Sequence, residues 1–539
     1  MEQEKRNIIA VNQLGFRSKD RKTAVIEGEG GAFRLINQAT GEVAYEGKTG
    51  AAAEDESSGL KVCRADFSGV RQAGTYKLEA EDGQTSDPFV IGEEVYGAAH
   101  QALLKAFYYF RCGIGLEEKY AGAWKHGACH LTPAIVYGDE TRHVDAWGGW
   151  HDAGDYGKYV GPGAKAVADL LLAYEYYPGA FSGAVPLPET DGVMPDVLHE
   201  CRYELEWMQR MQDADSGGVF HKLTTLRFPA VDTMPEDDTD ELYVSPVSAT
   251  ATGCFAAIMA MAARVYEGFD SVFASGCQAA AERAWEWLEQ HPEVPGFRNP
   301  PEIVTGEYGD KLDADERYWA AAELYRTTGE ERYHESFLQL AERDFDKYEL
   351  GWADMGGYGT ISYLMSERTG DPAISERLRA GLLERAERLA KVSRKDGYGV
   401  SLQPEQYIWG SNMLVLNHAM LLLIADRVAG TDNYADLALD HVHYLFGMNV
   451  MGISYVTGFG SQPVMHPHHR PSEGDGVDEP VPGLVSGGPN LGIQDEYASE
   501  HLAGRAPAAS FGDAMESYST NEVTIYWNSP AVFVLSHFV

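Results

Sequence analysis

The sequence predicts a two-part chain: an all-β sandwich over residues 1–93, then a mainly α-helical domain of the α/α-toroid type over residues 94–539. Three observations carry this. Short alternating runs punctuated by Gly, Asn and Asp fill the first 93 residues. The spacing of apolar residues becomes helical near residue 95. Roughly a dozen segments of ordinary helix length follow, joined by elaborate loops.

The strand runs are "IIAVNQLGF", "KTAVIEG", "FRLINQ", "EVAYEGKT", "GLKVCRADFS", "GTYKLEAED" and "DPFVIG", which makes about seven strands. "VYGAAHQALLKAFYYFR" opens the helical part. Clear helices follow at "GAKAVADLLLAYEYY", "VLHECRYELEWMQRM", "ATATGCFAAIMAMAARVY", "CQAAAERAWEWLEQ", "ADERYWAAAELYRTTG" and "ERYHESFLQLAERDF". Later ones are "ISERLRAGLLERAERLAKV", "GSNMLVLNHAMLLLIADRV" and "YADLALDHVHYLFG". The segment 411–428 is apolar on more than one face, which places it inside. Long Gly/Pro-rich connections at 214–246, 294–312 and 451–521 are functional candidates, because loops of that length in a compact domain usually are.

A chain of 539 residues exceeds one ordinary core, and 44% hydrophobic content supplies a large one. Acids outnumber bases 82 to 43, giving a net charge of -39. That surface disfavours nucleic acid, anionic membrane and anionic polysaccharide, and favours a neutral or cationic substrate. No apolar run reads as long enough to span a bilayer. The start, "MEQEKRNIIAVNQLGF", lacks the charged-then-apolar pattern of a signal peptide. A cytoplasmic protein is expected from this, or a secreted one if a signal was removed. Six irregularly spaced cysteines predict buried free thiols rather than a disulfide framework.

Three stretches carry chemistry. "GGWHDAGDYGKYV", residues 148–160, crowds Asp152 and Asp155 beside His151. Inverting hydrolysis of a glycosidic bond needs one carboxylate to activate water and another to protonate the leaving oxygen. Asp152 and Asp155 are too close in sequence to be that separated pair, but suit sharing one water; the bland alternative is an Asx-turn or helix cap at Asp152. "YSTNEVTIYWNSP", residues 518–530, places Glu522 before an apolar helix, where desolvation would raise its pKa as an acid requires. From the residues alone, a first-turn glutamate stabilised by the helix dipole is the commoner reading. "GFGSQPVMHPHHRPS", residues 458–472, sets His466, His468, His469 and Arg470 in a Pro/Gly loop, suited to hydroxyl recognition or to tuning a carboxylate.

Together, "GGWHDAGDYGKYV", "YVTGFGSQPVMHPHHR" and "NEVTIYWNSP" resemble, in order, the signature regions of glycoside hydrolase family 9. The β part ahead of them is similar to the N-terminal Ig-like domain of its cellulase D-like branch. The resemblance implies an Ig-like sandwich followed by an (α/α)6 barrel, and covers essentially the whole chain. It implies Asp155 as general base, Asp152 as its partner on the water and Glu522 as general acid. His468 and Arg470 match the family's substrate-contacting H-x-R pair, and Tyr518 matches the tyrosine before the acid.

Cys112, Cys129, His130 and His151 are two thiols and two imidazoles, enough for a closed, structural zinc site. From the residues alone, two core cysteines and two loop histidines fit as well; the resemblance implies zinc. In the oxygen-rich loop "TGEYGDKLDADE", the resemblance implies a structural calcium held by Thr305, Glu307 and Asp310 with Asp354, although Lys311 sits among them. The acidic run "PEDDTDELY", 235–243, is an alternative calcium loop or a solvated one. Trp150, Trp409, Tyr243, Tyr455 and Tyr518 are candidate sugar-stacking rings.

The expectation is therefore a monomeric, inverting endo-β-1,4-glucanase acting on β-glucan or cello-oligosaccharides, with the α-anomer as first product. The alternatives are an exo-acting β-glucosidase or exo-β-D-glucosaminidase of the same family, and a non-catalytic carbohydrate-binding protein. A polysaccharide lyase is disfavoured by the negative charge. The sandwich carries no tryptophan and reads as structural.

Overall fold

The structure is a computed structural model that describes residues 9–539. The start of the first expected run, at residue 8, and the leader reading of residues 1–8 lie outside the described residues.

The N-terminal part forms two sheets around one core. One has the order Ile9–Ala10, Thr23–Glu27, Leu60–Asp66, Ala53–Asp55; the other has Gly15–Phe16, Phe89–Ile91, Gly74–Ala80, Ala32–Asn37, Val43–Lys48. Alternation drives this: in Ala32–Asn37, Phe33 and Leu35 point inward while Ala32 and Arg34 are exposed. Phe16, Phe67 and Phe89 meet in that core, with Phe16 edge-on to both others at 5.3 Å. Each such ring, fully buried, contributes about 1.5–3 kcal/mol.

Among the described residues this part has nine strands instead of about seven. The first run breaks in two because Asn12 turns its side chain onto the Leu14 amide and Gly15 takes φ +118°. A Cβ at Gly15 would lie 2.0 Å from the Val90 carbonyl oxygen, so only glycine allows the parallel pairing with Phe89–Ile91.

Packing divides the chain into two compact units. The first combines the sandwich with residues to Ala106, Ala386–Ser472 and Asp478–Val539. Within it, Asn12 Nδ2 lies 2.9 Å from His443 Nδ1, and the Gly397 amide donates to Asp55. The Asp440 carboxylate receives Arg21 and stands near Arg64. The sandwich is thus tied into its unit by buried polar contacts, as a structural module should be.

The second unit holds Phe107–Arg385 and Glu473–Val477. Its centre is the helix Ala249–Tyr266, almost wholly buried, which packs against Ser271–Gln290, Ala314–Thr328 and Val160–Tyr176. Ser248 caps that helix through the Ala251 amide, and Asp270 caps the next through Val272 and Phe273.

Ala249–Tyr266 and Ser411–Ala429 are long and apolar enough to cross a membrane by length and composition, which corrects the sequence expectation. They are 94% and 83% buried inside the protein, so they are interior helices. The second unit also holds a five-stranded sheet that the sequence does not predict. Its order is Asp139–Val144, Ala134–Val136, Tyr243–Val244, Lys222–Thr224, Lys158–Tyr159. These strands of two to six residues are too short to show a period. Their last member directly follows the Asp152–Asp155 loop.

Candidate active site

The loop 148–160 is rigid by construction. Gly149 takes φ +73°, and a Cβ there would lie 2.7 Å from Trp207 and 2.8 Å from Glu204. The Trp150 amide donates to Glu204 Oε2 at 2.6 Å and its indole to Glu200 Oε1 at 2.9 Å. Arg111 grips Glu200 through two nitrogens at 2.9 and 3.0 Å. Buried Lys158 donates to the Ala146 and Gly148 carbonyls. Burial pushes Glu204 up to about 8, against the pull of the Trp150 amide and Lys158.

The two aspartates have different environments. The Asp152 amide donates to the Gly157 carbonyl at 2.9 Å, closing a turn. The side chain serving that turn is Asp155, whose Oδ2 accepts the Gly157 amide at 2.9 Å. The expected Asx-type contact therefore exists, but not at Asp152. Asp152 is 1% exposed; its Oδ2 accepts the Tyr308 hydroxyl at 2.6 Å and its Oδ1 has no protein partner. Burial holds its carboxyl well above the usual range, the Asp155 charge adds to this, and the Tyr308 hydrogen bond opposes it.

Sequence reasoning passed over Tyr308. Its φ of +45° is uncommon outside glycine. Its ring is edge-on to Tyr159 at 4.5 Å and to Trp352 at 4.8 Å. A positive φ at a residue that sets its hydroxyl on a buried carboxylate makes Tyr308 a functional candidate.

In the other unit, Glu522 stands at φ -65°, ψ 161°, between Tyr518–Asn521 and Ile525–Ser536. Thr524 caps the latter helix, so Glu522 precedes the helix instead of lying in its first turn. Its Oε2 accepts the Trp409 indole at 3.1 Å. Its backbone pairs with His468 and receives the Gly487 amide. His468 Nδ1–H donates to the Met515 carbonyl at 2.7 Å, which fixes the ring. The Tyr518 ring lies 5.4 Å from Trp409 and 5.9 Å from His468. Trp409 and Tyr518 are 39% and 37% exposed beside the carboxylate.

The other expected site residues divide. Arg470 and His469 are buried, and His466 is exposed with its amide on Asp513. Tyr243 is half-buried, its hydroxyl on Glu241. Trp150 and Tyr455 are corrections: at 1% and 0% exposure they are core, one tied to Glu200 and the other packed on Phe511 and Tyr444.

Cys112, Cys129, His130 and His151 converge, with one ligand atom from each lying within 4.8 Å of the others. Cys112 Sγ is 3.8 Å from His130 Nδ1, and Cys129 Sγ is 3.9 Å from His151 Nε2. Tetrahedral zinc at ~2.3 Å from sulfur and ~2.0 Å from nitrogen sets such edges near 3.5 Å, so the four side chains fit that ion. Burial opposes ionisation of Cys112, yet the Cys129 thiol, Lys158 and the two imidazoles hold it well below the usual thiol range. The hydrogen bond with Cys112 and burial push the Cys129 thiol up. His130 Nε2 sits 3.2 Å from Asp238 Oδ2, the carboxylate–imidazole pairing that orients metal-bound histidines. Asp238 comes from the acidic run 235–243, expected to bind calcium or lie in solvent. Instead Asp238 is buried, and Glu236 accepts the Gly127 amide.

The expected calcium ligands do not gather. Thr305 Oγ1 is taken by Lys222 and Thr224, and Glu307 by Arg298 and the Asn299 amide. Asp310 and Asp354 face two acids the sequence reading missed, Asp315 and Glu316. Burial pushes Asp310 up to about 6, and Asp310 Oδ2 and Glu316 Oε2 are buried without a protein partner. That donor set suits a hard cation.

The chain matches two family models: "Glycosyl hydrolase family 9" over residues 96–535, and "Cellulase N-terminal ig-like domain" over residues 4–85. It is 39% identical to a cellodextrinase from Butyrivibrio fibrisolvens, covering 98% of this chain and 99% of that protein. It is 36% identical to endoglucanase D from Acetivibrio thermocellus, covering 98% and 83%. A single-mutant thermostable endoglucanase from Alicyclobacillus acidocaldarius superposes with a TM-score of 0.94 at 42% identity, over 99% of each chain.

Proposed function

Because this chain belongs to glycosyl hydrolase family 9, carrying the N-terminal Ig-like domain ahead of a mainly helical domain, we propose that it is an inverting endo-β-1,4-glucanase acting on cellulose-type glucans and cello-oligosaccharides. The observation that carries the reading is the Asp152–Asp155 loop: two buried carboxylates, one with an oxygen no protein group satisfies. We read residues 1–93 as the Ig-like domain, and 94–539 as a catalytic domain with the family's (α/α)6 barrel.

In this mechanism Asp155 takes a proton from water as the water attacks the anomeric carbon opposite the leaving group. Asp152, held by Tyr308, is the second contact for that water. Glu522, whose Oε2 accepts the Trp409 N–H, gives its proton to the departing oxygen. Trp409 and Tyr518 offer exposed faces for pyranose rings, while His468 and Arg470 meet hydroxyls. The cellodextrinase relative supports short soluble chains as substrates.

Zinc would be held by Cys112, Cys129, His130 and His151, where it would supply a structural cross-link. His151 carries that restraint to its neighbour Asp152. Calcium, read here at Asp310, Asp315, Glu316 and Asp354, would neutralise that buried acid cluster.

Two predictions arise. Proton NMR of cellotetraose hydrolysis should show the α-anomer first; β-anomer appearing first would exclude single displacement by a water that Asp155 activates. Tyr308→Phe should lower kcat by about 10- to 100-fold, the worth of a hydrogen bond to a charged group, with little change in KM. Unchanged kcat would show that the Tyr308 hydroxyl does not serve the reaction.

A further inference from the structure

The Trp409 ring is exposed, yet its N–H is not given over to water: it donates to Glu522 Oε2 at 3.1 Å. One short segment holds both partners. The Gly487 amide donates to the Glu522 carbonyl at 2.8 Å, and the Gly487 carbonyl accepts the Asn412 amide at 3.0 Å, three residues after Trp409. On either side of that peptide, Ser486 pairs with Val523, and the Gly488 amide donates to the Thr520 carbonyl at 2.9 Å. The Asn412 side chain donates to the Ser486 carbonyl at 2.8 Å, and the Ser411 hydroxyl to the Pro489 carbonyl at 2.7 Å.

Close approach makes this arrangement stiff. A Cβ on Gly487 would lie 2.9 Å from the Trp527 ring and 3.0 Å from the Thr520 carbonyl oxygen. Gly410, beside Trp409, takes φ +81°, and a Cβ there would lie 2.9 Å from the same ring. Main chain, not side-chain reach, therefore sets the distance between indole and carboxyl. Stacking on a sugar needs only a flat apolar face, which a phenylalanine also offers. Tyr518, the other exposed ring, gives its hydroxyl to the Gln494 carbonyl at 3.0 Å. The indole adds a donor, and that donor is spent on the acid. As a proton leaves a carboxyl, negative charge builds on both oxygens, and a donor already in place meets it without reorganisation.

We propose that Trp409 is a positioning residue for the general acid: its N–H on Oε2 fixes the rotation of the Glu522 carboxyl and steadies the carboxylate that forms as the proton departs. This role rests on the reading of Glu522 as general acid. It deepens that reading by naming what aims the proton, and it ties the acid to the side chain whose ring offers a face to the sugar.

The test is the dependence of kcat on the leaving group, read with cellotetraose and with a dinitrophenyl β-cellobioside. The variants are Trp409→Phe and the enzyme carrying benzothienylalanine at position 409. Benzothienylalanine keeps both rings and replaces only the N–H by sulfur, so it preserves the packing should Phe disturb it. On cellotetraose both should lose about 10-fold in kcat, the worth of a hydrogen bond to a forming carboxylate. On the activated glycoside both should stay within about twofold of the parent, because that leaving group departs without a proton. In a Glu522→Gln background neither replacement should lower kcat on cellotetraose further, since a residue that acts through the acid has nothing left to position. A residue that only stacks or packs would raise KM alone or slow both substrates alike. Either result, or full additivity with Glu522→Gln, would overturn the proposal. Glu522→Gln by itself separates the two readings. If its loss is confined to cellotetraose while the Trp409 variants slow both substrates alike, the positioning role alone fails. If its own loss is equal on both substrates, the acid assignment beneath it fails.

Discussion

Asp155→Asn should lower kcat on cellotetraose by about 10³-fold, and Glu522→Gln by a similar factor, with KM within a few-fold. General acid and base catalysis contribute about 10²–10⁴-fold each, and at 1.36 kcal/mol per decade this is about 4 kcal/mol of transition-state stabilisation. The two losses have different signatures. An acid is needed only while the leaving group is poor. With a dinitrophenyl β-cellobioside, Glu522→Gln should recover to within about tenfold of the parent, because that leaving group departs without a proton. Asp155→Asn should stay slow on both substrates, since the attacking water is the same. Azide, which needs no deprotonation, should restore turnover to Asp155→Ala on the activated substrate and yield the α-glycosyl azide. If both variants responded alike to the leaving group, the two roles would have to be reassigned. The two environments differ. Glu522 accepts an indole N–H on Oε2. Asp155 is bound by one amide and faces Asp152.

Much of this site is legible in the sequence, for a physical reason. Asp152, Asp155 and His151 are local to one loop, and Glu522, Tyr518 and the 466–470 segment form two others, so linear motifs carry them. The residues that support the site come from distant segments with no period of their own. Lys222 and Tyr159 sit on strands of three and two residues, too short to alternate visibly. Tyr308 is one tyrosine among thirty, and only its backbone at φ +45° and its hydroxyl on Asp152 distinguish it. Asp238 hides in an acidic run whose composition reads as solvated, because composition cannot say which carboxylate turns inward. Trp150 fails in the opposite sense. A tryptophan beside the catalytic loop reads as a sugar platform, yet its indole is spent on Glu200 beneath that loop. The calcium expectation fails at Thr305 and Glu307 because two bases elsewhere in the chain, Lys222 and Arg298, already hold them.

Removing the zinc proposed at Cys112, Cys129, His130 and His151 should cost more stability than any single side chain outside the site. Cys129→Ser or exhaustive chelation is expected to lower the melting temperature by about 10 °C, since a few kcal/mol at ~2–4 °C each is lost from a unit of this size. Cys277→Ser, buried elsewhere in the same unit, serves as the control. The loss should reach catalysis, because the His151 amide is fixed on the Phe110 carbonyl and the next residue is Asp152. Zinc affinity should also depend steeply on pH, with a sign set by the metal-free cluster. Burial would lower His130, but Asp238 and Cys112 overcome it and raise it to about 9, and Cys129 is raised as well. A raised histidine stabilises the metal-free fold below its unfolded value near 6.5 and loses that contribution as pH passes about 9. At pH 7 the ion must therefore displace a proton from His130 and another from Cys129. Affinity measured against a chromogenic chelator should climb about tenfold per pH unit for each proton displaced. Asp238→Asn removes the carboxylate that holds the His130 proton and orients the ring. It should flatten the His130 part of this dependence while weakening zinc by about 10- to 100-fold near neutrality. An affinity unchanged between pH 6.5 and 8.5 in the parent would mean that the four side chains do not bind the ion together.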